Sequence, residues 1–123
     1  MKKNPDIEYP EDMGSDAERA FQTIWISLGG PLLEREQTFH DERRWRVDFM
    51  HRITNTIIEI EGGIWSSGRH LRPQGYINDC KKYVAAQLEG WEVFSLAYPN
   101  MVVDEPEWIE RIIKHIRKKE ERG

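Results

Sequence analysis

A chain of 123 residues is long enough for one hydrophobic core and too short for two, so one domain with one site is expected. The formal net charge of −4 argues against a strong general affinity for nucleic acid, and no apolar run is long enough to span a bilayer. Cys80 is the only cysteine, which excludes an internal disulfide and argues against a cysteine-built zinc site. The polar start Met1-Lys2-Lys3-Asn4-Pro5 lacks the apolar stretch of a secretory signal, so a cytosolic protein with no membrane partner is expected.

Charge is unevenly placed. From Arg35 to Lys82 there are nine Lys and Arg against seven Asp and Glu, so the remaining nine basic and fifteen acidic residues carry the whole acidic excess. The middle of the chain is therefore electrostatically able to hold a phosphate backbone.

In chain order, residues 1–14, with Pro5, Pro10 and several acids, show no periodicity and read as a loose tail ahead of a domain over 15–119, with 120–123 as a short second tail. Ser15 and Glu18 have the spacing of a capping box, and Phe21, Ile24, Trp25 and Leu28 form a helical stripe that Gly29-Gly30-Pro31 ends. The stretch from Leu33 to His40 is a candidate first strand. From Trp45 to Met50, Trp45, Val47 and Phe49 alternate with Arg46, Asp48 and Met50, which predicts a strand with one buried face. Thr56 to Glu61 forms a second such run, with Ile58 and Ile60 on one face and Ile57, Glu59 and Glu61 on the other.

Ile64 to Tyr76, rich in Gly, Ser and Arg, predicts a long loop. Asn78 or Asp79 then opens a helix in which Cys80, Tyr83, Val84, Gln87 and Leu88 trace one face before Gly90. Trp91 to Leu96 reads as a strand. A last helix starts at Asp104 or Glu105 with Pro106 and buries Ile109, Ile112, Ile113 and Ile116. The order predicts a mixed α/β (α+β) domain with one small sheet and helices packed on it.

A carboxylate within an apolar strand is costly to bury unless it meets a cation or good donors. If 45–50 and 56–61 pair as a hairpin, Asp48 and Glu59 can project together, roughly 5 Å apart. That separation suits a hard divalent ion such as Mg²⁺, but equally two acids on a solvated sheet face. Glu61 shares the face of Glu59 and reads either as a helper at the site or as an exposed strand end. His70, between Arg69 and Arg72, is a candidate general acid or base. Asp79 reads as an N-cap or as the group that orients His70, and Glu18 as a capping residue or a site acid. Arg43, Arg44, Arg46, Arg69, Arg72, Lys81 and Lys82 bracket the carboxylates and are candidate phosphate contacts, and Trp65 could stack on a base.

The runs Trp-Arg-Val-Asp-Phe from Trp45, Ile-Ile-Glu-Ile-Glu-Gly-Gly-Ile-Trp from Ile57, Ser-Gly-Arg-His ending at His70 and Asn-Asp-Cys-Lys-Lys-Tyr from Asn78 resemble small phage and bacterial nucleases of the PD-(D/E)XK superfamily. The similarity continues through Gly90 to Phe94 and spans about Glu18 to Val102, nearest to the very-short-patch-repair-like branch with its Glu, Asp, x, His, Asp pattern. It implies a restriction-endonuclease-like αβββαβ core with a C-terminal helix and Mg²⁺-dependent cleavage of DNA, with Mn²⁺ able to substitute. By the same resemblance, Asp48, Glu59 and the Ile60 carbonyl would hold the metal. Glu18, Asp48, Glu59, Glu61, His70 and Asp79 would form the catalytic set. Glu61 stands where most members carry a lysine, which leaves the usual lysine role vacant. A branched-DNA resolvase, acting as a homodimer, and a nuclease-like DNA-binding module without activity are the alternatives.

Overall fold

The computed structural model describes residues 16–40, 43–62 and 73–123. Its elements are α1 (Asp16–Ser27), β1 (Glu34–Thr38), β2 (Arg46–His51), β3 (Thr56–Glu61), α2 (Pro73–Leu88), β4 (Glu92–Ala97), a π-helical turn (Asn100–Asp104) and α3 (Glu107–Arg122). The strands form one open mixed sheet in the order β1-β2-β3-β4, with β1–β2 and β2–β3 antiparallel and β3–β4 parallel. A parallel pair needs a crossover, and α2 lies within that connection. This is the mixed α/β architecture expected of the element order.

Helices cover both faces of the sheet. On one face, Phe21 and Trp25 of α1, Val102 of the π-helical turn and Ile109, Ile112, Ile113 and Ile116 of α3 pack with Phe49, Ile58, Ile60 and Leu96. The four isoleucines repeat at i, i+3, i+4 and i+7, and burying each contributes about 1.5–3 kcal/mol. On the other face, Ala86 of α2 packs with Val47, Met50 and Ile57.

Burial on both faces corrects the reading of β2 as half-buried. Val47 and Phe49 belong to opposite layers, and Met50 and His51 are buried as well. The strict alternation fails at the residue between them, Asp48. Two helical expectations also change. α2 begins at Pro73, so residues 73–76 are helical and not loop, and Asp79 sits in the second turn instead of at an N-cap. Cys80, Val84, Gln87 and Leu88 of the expected core stripe are exposed, while Lys82 and Ala86 are the buried positions. α3 runs through Arg122, so the expected tail at 120–123 is mostly helix.

The entry from α1 into β1 depends on a close approach at Gly30. The Trp25 indole donates to the Pro31 carbonyl at 2.7 Å, and a Cβ at Gly30 would overlap the Trp25 ring. Gly30→Ala is expected to lower stability by about 1–3 kcal/mol, as overpacking does, measured by urea unfolding. An unchanged midpoint would show that the indole can move aside.

Candidate active site

Asp48 sits at a break in the sheet. On the β1 side, Arg35 pairs with Phe49 and Gln37 with Val47, and Glu36 between them has φ 53°, outside strand conformation. On the β3 side the strand pairing ends at Phe49↔Ile58, and the next pair would be Asp48 and Glu59. There side chains take over from the backbone ladder. The Asp48 amide donates to Glu59 Oε2 at 2.7 Å, and the Ile60 amide donates to Asp48 Oδ2 at 2.8 Å. Each carboxylate thus satisfies an amide of the opposite strand that the interrupted ladder would leave unpaired.

Behind this pair lies Lys82 of α2. Its ammonium donates to Glu59 Oε1 and, at 3.1 Å, to the Arg46 carbonyl. The side chains of Lys82 and Glu59 are only 8% and 4% exposed, so the ion pair is buried. Lys82 was expected among the phosphate contacts with Lys81, but the fold places it in the carboxylate site and leaves Lys81 exposed.

One positive charge does not balance the cluster. Burial, and then the charge of Glu59, pushes the Asp48 carboxyl up to about 7, against the Ile60 amide that favours its ionised form. Glu18 raises it further and Lys82 lowers it. Glu18 therefore reaches the site electrostatically from α1, while its carboxylate lies 3.9 Å from the Arg35 guanidinium. Glu61 accepts the Tyr83 hydroxyl at 2.5 Å. Burial and that bond hold the Tyr83 phenol well above its ordinary range, so it stays a donor to Glu61. The sequence assigns Tyr83 only to a helix face, and its bond to Glu61 follows from its place beside buried Lys82 on α2.

A surface pocket of about 380 Å³ meets the site at Lys82 and is lined by Arg43, Arg44, Trp45, Arg46, Asn78, Asp79 and Lys82. Of the expected phosphate contacts it gathers Arg43, Arg44, Arg46 and Lys82, and Asp79 lines it too. The Arg43 guanidinium lies 5.0 Å from the centre of the Trp45 ring, and Arg46 pairs with Glu36 at 3.0 Å. Trp65, Arg69, His70 and Arg72 lie outside the described residues.

The donor set fits a hard divalent cation of the Mg²⁺ type, which uses one or two carboxylates and completes its shell with water and phosphate oxygens. Burial first, and the charge of Glu59 second, disfavour the ionised Asp48 carboxyl, and a bound cation would relieve both. Among the described residues no three His, Cys, Asp or Glu side chains are grouped to hold a metal. No helix among the described residues is long and apolar enough to cross a membrane.

Comparison with known proteins finds no matching family model, no similar curated protein and no similar solved structure.

Proposed function

We propose that this chain is a Mg²⁺-dependent DNA endonuclease of the PD-(D/E)XK kind, working in the cytoplasm of a bacterial or phage-infected cell, with DNA as its partner. The observation that carries this reading is the carboxylate pair of half-buried Asp48 and buried Glu59, set across a broken ladder and backed by Lys82, which also lines an arginine-rich pocket. Carboxylates, an ammonium and arginines in that arrangement suit hydrolysis of a phosphodiester, where charge develops on non-bridging oxygens.

Asp48, with Glu59 and the Ile60 carbonyl, would hold the ion, which when bound supplies Lewis acidity at the attacked phosphate. Arg43 and Arg44 would hold the backbone at the pocket. The oxygen of a water molecule bonds to phosphorus as one P–O ester bond breaks, the water gives up a proton, and the leaving oxygen takes one. His70, oriented by Asp79, is the proposed carrier of that proton. Glu61, fixed by the Tyr83 hydroxyl, would accept a hydrogen bond from the incoming water. Lys82 supplies the ammonium missing from position 61, reaching the site from α2 instead of β3.

A second reading, a DNA-binding module without hydrolysis, draws on Glu61 in the lysine position and on the full engagement of both Glu59 oxygens. A panel of supercoiled, nicked, flapped, mismatched, four-way and single-stranded DNA incubated with Mg²⁺ separates the readings. Cleavage of at least one member that stops in Asp48→Ala is expected, and preference for the four-way junction would point to a dimeric resolvase. Binding without cleavage of any member in Mg²⁺ or Mn²⁺ would overturn the nuclease reading in favour of the module.

A further inference from the structure

We propose that Lys82 is a displaceable counter-ion. It occupies Glu59 while the site holds no metal and yields that carboxylate to an incoming divalent cation, freeing its ammonium for a phosphate in the neighbouring pocket. The inference rests on the metal-dependent reading above and concerns what this chain's own lysine does on metal uptake.

Three of the four carboxylate oxygens of Asp48 and Glu59 already accept hydrogen bonds within the site. Glu59 has both of its oxygens engaged, one by the Asp48 amide and one by Lys82. Each oxygen keeps a further lone-pair site, but a dication placed there would stand beside the Lys82 ammonium, so the two cations compete for Glu59. The amide is part of the β2 backbone and cannot withdraw without moving the strand. Lys82 ends a flexible four-carbon stem, and its ammonium is repelled by a dication at the same carboxylate.

Lys82 also has somewhere to go. It lines the pocket with Arg43, Arg44 and Arg46, and its bond to the Arg46 carbonyl lies on that side of the site. Among the described residues it is the side chain that both bonds the carboxylate pair and borders the pocket. Metal at Glu59 and phosphate at the pocket would then each favour the other, because both draw on the same movement of one ammonium, and such coupling is reciprocal.

Mn²⁺ titration calorimetry on the full chain tests the exchange without recourse to cleavage. Lys82→Met is expected to bind Mn²⁺ at least about tenfold more tightly than the wild type, since the competitor for Glu59 is gone. Lys82→Arg should bind as the wild type does, and Lys114→Met, which removes a charge from a surface i,i+4 pair on α3, should show no tightening. Should Lys82→Met fail to fold, the wild type still reports. The ¹⁵N resonance of the Lys82 ammonium, protected beside Glu59 in metal-free protein, should shift and lose its slow proton exchange on addition of Mg²⁺. Metal uptake by the wild type with equal or weaker affinity in Lys82→Met, or an unmoved ammonium resonance, overturns this inference and leaves the nuclease reading intact. Wild-type protein that takes up neither Mg²⁺ nor Mn²⁺ overturns both.

Discussion

Asp48→Asn is expected to make the metal-free protein more stable than the wild type at pH 8, by about 1–3 kcal/mol, and to abolish cleavage. Partial burial, and then the charge of Glu59, push the folded-state carboxyl up from its ordinary value of 3.8 to about 7. An acid whose folded pKa is raised binds more protons folded than unfolded between those two values. Stability therefore declines as pH rises from about 4 to about 7, and above that window the full penalty of the charged form is present. Asn keeps an oxygen for the Ile60 amide and carries no charge. The mutant's advantage should vanish below pH 4, where both side chains are neutral, and reach its plateau above 7. Urea unfolding across pH in the presence of EDTA measures it, and a mutant no more stable than the wild type at pH 8 would refute the charge crowding inferred at this site.

Glu59→Ala is expected to have the opposite effect on stability. It leaves the buried Lys82 ammonium without its carboxylate and the Asp48 amide without its acceptor. Breaking a buried pair from one side typically costs about 3–5 kcal/mol. Relief of the repulsion between Glu59 and Asp48 offsets part of this, so a net loss of about 2–4 kcal/mol is expected, or roughly 10 °C in the thermal midpoint of a domain this size. Glu59→Gln, which retains a carbonyl oxygen as acceptor, should lose about half as much. A wild-type midpoint for Glu59→Ala in metal-free buffer would show that Lys82 readily reaches water and that the pair is not a structural element. The opposite signs expected at Asp48 and Glu59 follow from one arrangement. Lys82 bonds Glu59 directly, while Asp48 bears the remaining negative charge.

The carboxylate pair was legible in the sequence because strand periodicity is short and rigid. The hairpin register that pairs Phe49 with Ile58 brings residues 48 and 59 together, and alternation separates Ile58 and Ile60 from Ile57 on opposite faces of β3. The face of α2 was not legible. An apolar stripe marks the inner side of a helix that packs on aliphatic residues, but α2 also packs over a charged site, so it buries Lys82 and turns Val84 and Leu88 outward. In the sequence Lys82, next to Lys81, reads as one of two phosphate contacts. The signal that could have found it was the lysine missing at Glu61, combined with the i,i+4 spacing of Lys82 and Ala86. The shift of layer between Val47 and Phe49 was equally hidden. It arises from the left-handed backbone at Glu36 and from side chains replacing ladder bonds at Asp48, neither of which a period-two pattern records. The π-helical turn at Asn100–Asp104 had no periodic signature either, being a single turn that buries Val102 alone.

Cleavage of supercoiled plasmid by wild-type protein and by Asp48→Asn, each with Mg²⁺ and with EDTA, tests the central claim most directly. Because the variant is expected to be folded and more stable, its inactivity cannot be ascribed to unfolding. Nicked or linear product from the wild type in Mg²⁺, none in EDTA, and at least a thousandfold slower cleavage by Asp48→Asn is the expected outcome, on the order of 4 kcal/mol in transition-state stabilisation. Equal cleavage by wild type and Asp48→Asn, or cleavage that persists in EDTA, would contradict an active site centred on Asp48.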